Sequence, residues 1–170
     1  RIHTVGFPAI DLIKDKNFAN KEELQNRFKL DLTKPIVIFT QHSVTTEFGK
    51  AGDQIEPSLR ALKRLSLSGV QVVITYPNND AGGQCIIDHL YDFMKSAPPN
   101  IQLHRSVGRY NYHGILALAL DQEILFSCVG NSSSGIKETP AFGCPTVNIG
   151  SRQDGRLRAE NVIDVKYDAD

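Results

Sequence analysis

The chain carries no net charge: 19 Lys and Arg are balanced by 19 Asp and Glu over 170 residues. Proteins that bind nucleic acid or anionic membranes concentrate positive charge, so neutrality argues against both partners. Tryptophan is absent and only three cysteines occur, Cys85, Cys128 and Cys144. They form no C-x-x-C pair and lie in apolar neighbourhoods, which fits reduced, buried thiols in a cytoplasmic setting rather than a disulfide framework or a zinc site. Long hydrophobic runs are missing too. The longest, residues 115–120, falls far short of the roughly 18 residues that span a bilayer. No His or carboxylate pair has metal-ligand spacing on a plausible face, so no metal is expected. The chain begins at Arg1 without a methionine and stops soon after a strand-like segment, and is expected to be a piece of a longer protein.

What is present is an ordinary globular composition, 41% hydrophobic and 22% charged, which excludes disorder as the main state. A chain of this length buries roughly 70% of its unfolded surface, enough for one core without staples. Residues 1–16 read as a lead-in or linker. Asn20 followed by Glu23 gives a capping-box start to a helix ending at Phe28. Residues 36–40, Ile-Val-Ile-Phe-Thr, are the continuous β-branched and aromatic run of a strand buried on both faces. A helix is expected over 53–67, with Pro57 near its start and Gly69 stopping it. A strand over 70–76 follows, then a helix over 84–95 and a short strand over 101–104. Next come a helix over 110–120, a strand over 124–129, a helix over 134–142, and strands over 146–149 and 162–165. Alternation without hairpin signals predicts parallel crossovers and an α/β, doubly wound, Rossmann-like sheet covered on both faces.

Such sheets bind ligands beyond the carboxyl ends of their strands, where strand order reverses. Three post-strand segments are polar: 41–47, 77–83 and 130–135. The last, Gly-Asn-Ser-Ser-Ser-Gly, joins small residues to hydroxyls between a buried strand and a helix, a cradle that suits phosphate or pyrophosphate. A plain N-cap needs only one of these serines. Neither G-x-G-x-x-G nor a Walker loop occurs, which disfavours a dinucleotide dehydrogenase or Walker-type nucleotidase. Glu138, one turn into the next helix, is placed to accept hydrogen bonds from ribose hydroxyls. Arg152 follows a strand and could meet phosphate. His42 stands directly after a buried strand, positioned for proton donation or leaving-group stabilisation; an isolated histidine there more often only orients a loop. His3, His89, His104 and His113 read as structural.

The motifs GNSSSGIKE at 130–138 and AFGCPTVNIGSRQDGR at 141–156, with QHSVTTE at 41–47 and PNNDAG at 77–82, resemble the UDP-N-acetylglucosamine 2-epimerase family over most of the chain. Its non-hydrolysing branch tends to carry His-Arg-Arg-Glu after the first strand and its hydrolysing, sialic-acid-biosynthesis branch His-Pro-Val-Thr. His42-Ser43-Val44-Thr45 is similar to the latter, with Ser43 in place of proline.

The resemblance implies the carboxyl-terminal half of a two-domain enzyme of the glycosyltransferase-B type, homo-oligomeric as the whole protein and using no cofactor. The family abstracts the sugar C2 proton and expels UDP, and the hydrolysing branch adds water to give N-acetylmannosamine. Carried onto this chain, Ser132 and Ser133 hold the diphosphate, Glu138 the ribose, and His42 and Arg152 the phosphate side; Asn78 lines the pocket and Val107 meets uracil through its backbone. The catalytic carboxylates lie mainly in the amino-terminal domain, so this chain is expected to bind UDP and UDP-N-acetylglucosamine without turning them over. A non-hydrolysing epimerase, a glycosyltransferase on the same fold and a non-catalytic nucleotide-sugar sensor are the alternatives.

Overall fold

Ile36–Thr40 is buried at all five residues and forms β1, the centre of the sheet. A computed structural model describes residues 1–3 and 5–169 of the chain. Around β1 lie β2 (Gln71–Thr75), β3 (Ile101–His104), β4 (Phe126–Gly130), β5 (Thr146–Ile149) and β6 (Val162–Val165). Their order is β3-β2-β1-β4-β5-β6 and every neighbouring pair is parallel. The chain therefore leaves β1 toward one edge and returns to its other side with β4. The ends of β1 and β4 mark the point where strand order reverses.

Alternate residues of each strand serve different faces, as the pleat dictates. Ile36, Ile38 and Val73 join Leu24 and Phe28 of α2 (Lys21–Phe28) and Ile115 and Leu116 of α5 (Gly108–Ala117). Val37, Phe39, Val72 and Ile74 pack on Ile55, Leu59 and Leu62 of α3 (Ala51–Leu67) and on Ile86 and Leu90 of α4 (Gly83–Met94). Both faces are thus covered, as a parallel sheet requires. The capping box of α2 forms: Asn20 Oδ1 accepts from the Glu23 N–H and Glu23 Oε2 from the Asn20 N–H.

Several boundaries differ from the sequence reading. Residues 1–16 are not only a linker, since α1 (Ala9–Lys14) buries Ile13 in the core. Helix α3 starts at Ala51, which puts Pro57 at an interior position rather than near the start. The proline has no N–H for the carbonyl of Asp53, which lies on the exposed side of the helix. Helix α5 begins two residues earlier than expected, and its last turn tightens into a 3-10 turn at Leu118–Leu120. Strand β4 spans Phe126–Gly130 rather than 124–129, because its frame is set by pairing Ile36 with Phe126. The helix expected over 134–142 is two pieces: α6 (Ser134–Lys137) and a 3-10 turn, Thr139–Phe142, with Pro140 inside it. Pro140 has no N–H to bond the Ile136 carbonyl four residues back, so the α pattern stops at Lys137 and a 3-10 turn takes over. No helix among the described residues is long and apolar enough to cross a membrane.

Candidate functional site at the β1–β4 switch point

Gly130 closes β4 with φ of 132°, and a Cβ there would stand 2.0 Å from the Thr40 carbonyl oxygen. Only glycine lets the ends of β1 and β4 come this close. The connection after each strand then meets the other. Asn131, fully buried, accepts the His42 N–H on Oδ1 at 2.6 Å and donates Nδ2 to the His42 carbonyl at 2.8 Å. Its own carbonyl accepts from Gln153 at 2.7 Å and from Arg152 at 3.2 Å. Beneath, buried Gln41 bridges the Gln54 carbonyl and the Ser58 hydroxyl of α3. His42 is thus held through its main chain by Asn131, which does not line the cavity at this switch point.

The His42 imidazole is equally constrained. The Asn78 N–H donates to Nδ1 at 2.9 Å. That nitrogen is therefore unprotonated, and Nε2 carries the hydrogen. Burial, and then the nearby Arg152 charge, hold the ring's pKa down at about 4. At neutral pH His42 is an uncharged donor, fitted to hydrogen-bond a developing anion rather than to release a proton to it. The same pressure acts elsewhere in the core: burial pushes the Cys128 thiol up to about 12, so it is inert as a nucleophile. All three cysteines are free.

A cavity of about 360 Å³ opens at the switch point. Of the residues singled out from the sequence, His42, Val107, Ser132 and Glu138 line it; Arg105, Arg109, Thr75, His113 and Ser134 line it as well. The Val107 side chain is buried and its carbonyl accepts from Asn111 Nδ2 at 2.7 Å. Asn78, Ser133 and Arg152 do not reach the lining. Asn78 donates to Asp80 at 2.6 Å, Asp80 pairs with Arg152 at 3.5 Å, and this chain backs the His42 wall. Ser133 caps α6 without a side-chain cap bond. Of the three serines of the 130–135 loop, Ser132 and Ser134 are therefore the two that line the cavity. With only four residues, α6 contributes little dipole, so what the cavity wall could offer an anion is individual N–H, O–H and guanidinium groups.

Glu138 lies just beyond α6 rather than inside a helix, and its Oε2 accepts from Ser134 Oγ at 2.9 Å and His113 Nε2 at 3.0 Å. Sequence reasoning gave His113, Asn131, Arg105 and Arg109 no role. A histidine inside the apolar run 112–116 has no sequence sign of its partner 25 positions on, and Asn131 gave only its place in the small-residue loop. Among the described residues no three His, Cys, Asp or Glu side chains converge as metal ligands.

Comparison with known proteins gives several relatives. The chain is 32% identical over 164 residues to the GDP/UDP-N,N'-diacetylbacillosamine 2-epimerase (hydrolyzing) of Campylobacter jejuni, which covers 96% of this chain and 41% of that protein. It is 32% identical over 171 residues to the UDP-N-acetylglucosamine 2-epimerase of Neisseria meningitidis serogroup B, covering 98% and 41%. The UDP-N,N'-diacetylbacillosamine 2-epimerase (hydrolyzing) of Legionella pneumophila is 31% identical over 170 residues, covering 99% and 41%. The chain thus spans about two fifths of the length of these relatives. The match to the family as a whole runs over residues 1–170, and on that match the chain belongs to the UDP-N-acetylglucosamine 2-epimerase family.

Proposed function

We propose that this chain is the UDP-binding half of a hydrolysing nucleotide-sugar 2-epimerase, with UDP seated in the cavity at the β1–β4 switch point. The observation that carries the reading is convergence: His42 from one connection and Ser132, Ser134 and Glu138 from the other line a single cavity in a chain of this family. In the reaction, the sugar loses its C2 proton and the C1–O bond to UDP breaks, leaving a double bond between C1 and C2. Water then adds across that bond, hydroxyl at C1 and hydrogen at C2 on the opposite face, to give the epimeric free sugar.

This chain's part is the leaving group. As the C1–O bond breaks, negative charge grows on the β-phosphate, and donors already aimed at it lower the barrier without reorganising. The uncharged His42 supplies Nε2–H, Ser132 a hydroxyl, and Arg105 and Arg109 positive charge. Proton abstraction and water delivery belong to a second domain of the longer protein. The hydrolysing outcome is supported by His42-Ser43-Val44-Thr45 and by the names of the Campylobacter and Legionella relatives. Those names also favour a second reading of the sugar, a UDP-linked diacetamido hexose in place of UDP-N-acetylglucosamine.

The test is calorimetric titration of the chain with UDP, UMP and NAD. Saturable UDP binding, weaker for UMP and for Ser132→Ala, is expected. Absence of UDP binding, or equal binding of NAD, overturns the cavity assignment. For the longer protein, incubation with each UDP-sugar separates the outcomes by product: free 2-epimeric sugar plus UDP for hydrolysis, the epimeric UDP-sugar otherwise.

A further inference from the structure

His113 is 1% exposed on α5, beside the fully buried Ile115 and Leu116. A polar ring in such a place is costly unless it is hydrogen-bonded. Only one of its nitrogens is satisfied: Nε2 lies 3.0 Å from Glu138 Oε2, while Nδ1 is buried and has no partner. A carboxylate oxygen accepts, so Nε2 carries a hydrogen, and the buried Nδ1 is left unmatched. Leucine or phenylalanine would line this wall without that penalty. What the histidine contributes is its hold on Glu138.

Glu138 needs holding. It sits past the end of α6, at the junction with the turn containing Pro140. Its side chain is 16% exposed and lines the cavity. His113 Nε2 and Ser134 Oγ both donate to the same oxygen, Oε2. Among the described residues no hydrogen bond reaches Oε1. One oxygen is pinned from two sides and the other is left as a strong charged acceptor at the cavity wall.

We infer that His113 is a positioning residue: with Ser134 it fixes the Glu138 carboxylate so that Oε1 accepts a ribose hydroxyl, and it thereby sets the preference of the cavity for a ribonucleoside diphosphate over its deoxy counterparts. The inference rests on the reading that UDP occupies this cavity.

The experiment is titration of the chain with UDP, 2′-deoxy-UDP and 3′-deoxy-UDP. The wild-type chain prefers UDP over the weaker deoxy ligand on the order of ten- to a hundredfold, the range for one hydrogen bond to a charged group. Glu138→Gln and His113→Leu each cut that preference at least about fivefold. His113→Gln, whose amide can still donate to the carboxylate, keeps more of it, and Ser134→Ala loses part. A merely structural histidine predicts otherwise: all three ligands weaken together and their ratio stays fixed, and that result overturns the inference. So does loss of the preference in Glu138→Gln but not in His113→Leu. If His113→Leu fails to fold, the His113→Gln and Ser134→Ala pair carries the same comparison. A wild-type chain that binds no UDP overturns the cavity reading itself, and the inference with it. A chain that binds UDP and both deoxy ligands alike sinks only the ribose role of Glu138 and His113.

Discussion

Asn131 organises the site from outside the cavity lining: its amide closes both hydrogen bonds on the His42 main chain and its carbonyl receives Gln153 and Arg152. Asn131→Ala leaves the His42 N–H and carbonyl unpaired in a part-buried setting. The expected cost is about 2–6 kcal/mol, from two groups at about 1–3 kcal/mol each, read as a lower urea midpoint with unchanged slope. His42 itself predicts a pH dependence. Its pKa is about 4 in the folded chain against 6.5 for the free side chain. Above pH 6.5 it is neutral in both states and stability is full. Between 6.5 and about 4 the unfolded chain takes up a proton that the folded chain refuses, so stability falls as pH falls. His104, whose pKa is also lowered by burial and then by Arg27, adds in the same direction. Asp31, Asp92, Asp121 and Asp164 are held below 3.8 and act only at lower pH. Urea midpoints between pH 7 and 4.5 should therefore drop less steeply in His42→Asn than in the wild-type chain; parallel curves would show that the folded imidazole is free to protonate.

At the scale of elements, the close approach of β1 and β4 depends on Gly130. Gly130→Ala combines a strained φ with a Cβ driven onto the Thr40 carbonyl, an expected loss of about 2–5 kcal/mol. Gly143→Ala is the control: its φ of 58° is also positive, but nothing lies within 4 Å of the added carbon, so only about 1–2 kcal/mol is expected. Denaturant melts of the two variants separate steric closure from backbone strain. The strands themselves were legible, because strands buried on both faces are written as continuous apolar runs such as residues 36–40. The α2 cap was legible because Asn20 and Glu23 satisfy each other locally. Where the reading slipped, the deciding contact was distant or the local rule was underweighted. Ile124 and Leu125 are as apolar as a strand, yet Leu125 is 67% exposed, and the strand frame comes from β1, about 90 positions away. Pro140, which lacks an N–H, divides the helix expected over 134–142 into two pieces.

For the whole molecule, alternation of strand and helix dictated a parallel, doubly wound sheet, but not which strands are neighbours. Convergence of His42 with Asn131, or of His113 with Glu138, depends on that order and has no local signature. A site assembled in this way exists only in the folded chain, so its ligand must stabilise the fold as a whole. UDP at a hundred times its dissociation constant should add about 2.7 kcal/mol. At roughly 2–4 °C per kcal/mol for a chain of this size, that is an upward shift of about 5–10 °C in the melting temperature. The shift should keep growing with the logarithm of UDP concentration, because mass action on the native state does not saturate as site occupancy does. UMP, lacking the second phosphate, should need a higher concentration for the same shift, and Ser132→Ala should displace the UDP curve toward higher concentration without lowering the ligand-free melting temperature by more than a degree or two, since Ser132 faces the cavity rather than the core. Thermal melts followed by circular dichroism across a UDP series check all three. A melting temperature indifferent to UDP would mean that the cavity between β1 and β4 is shaped for something else.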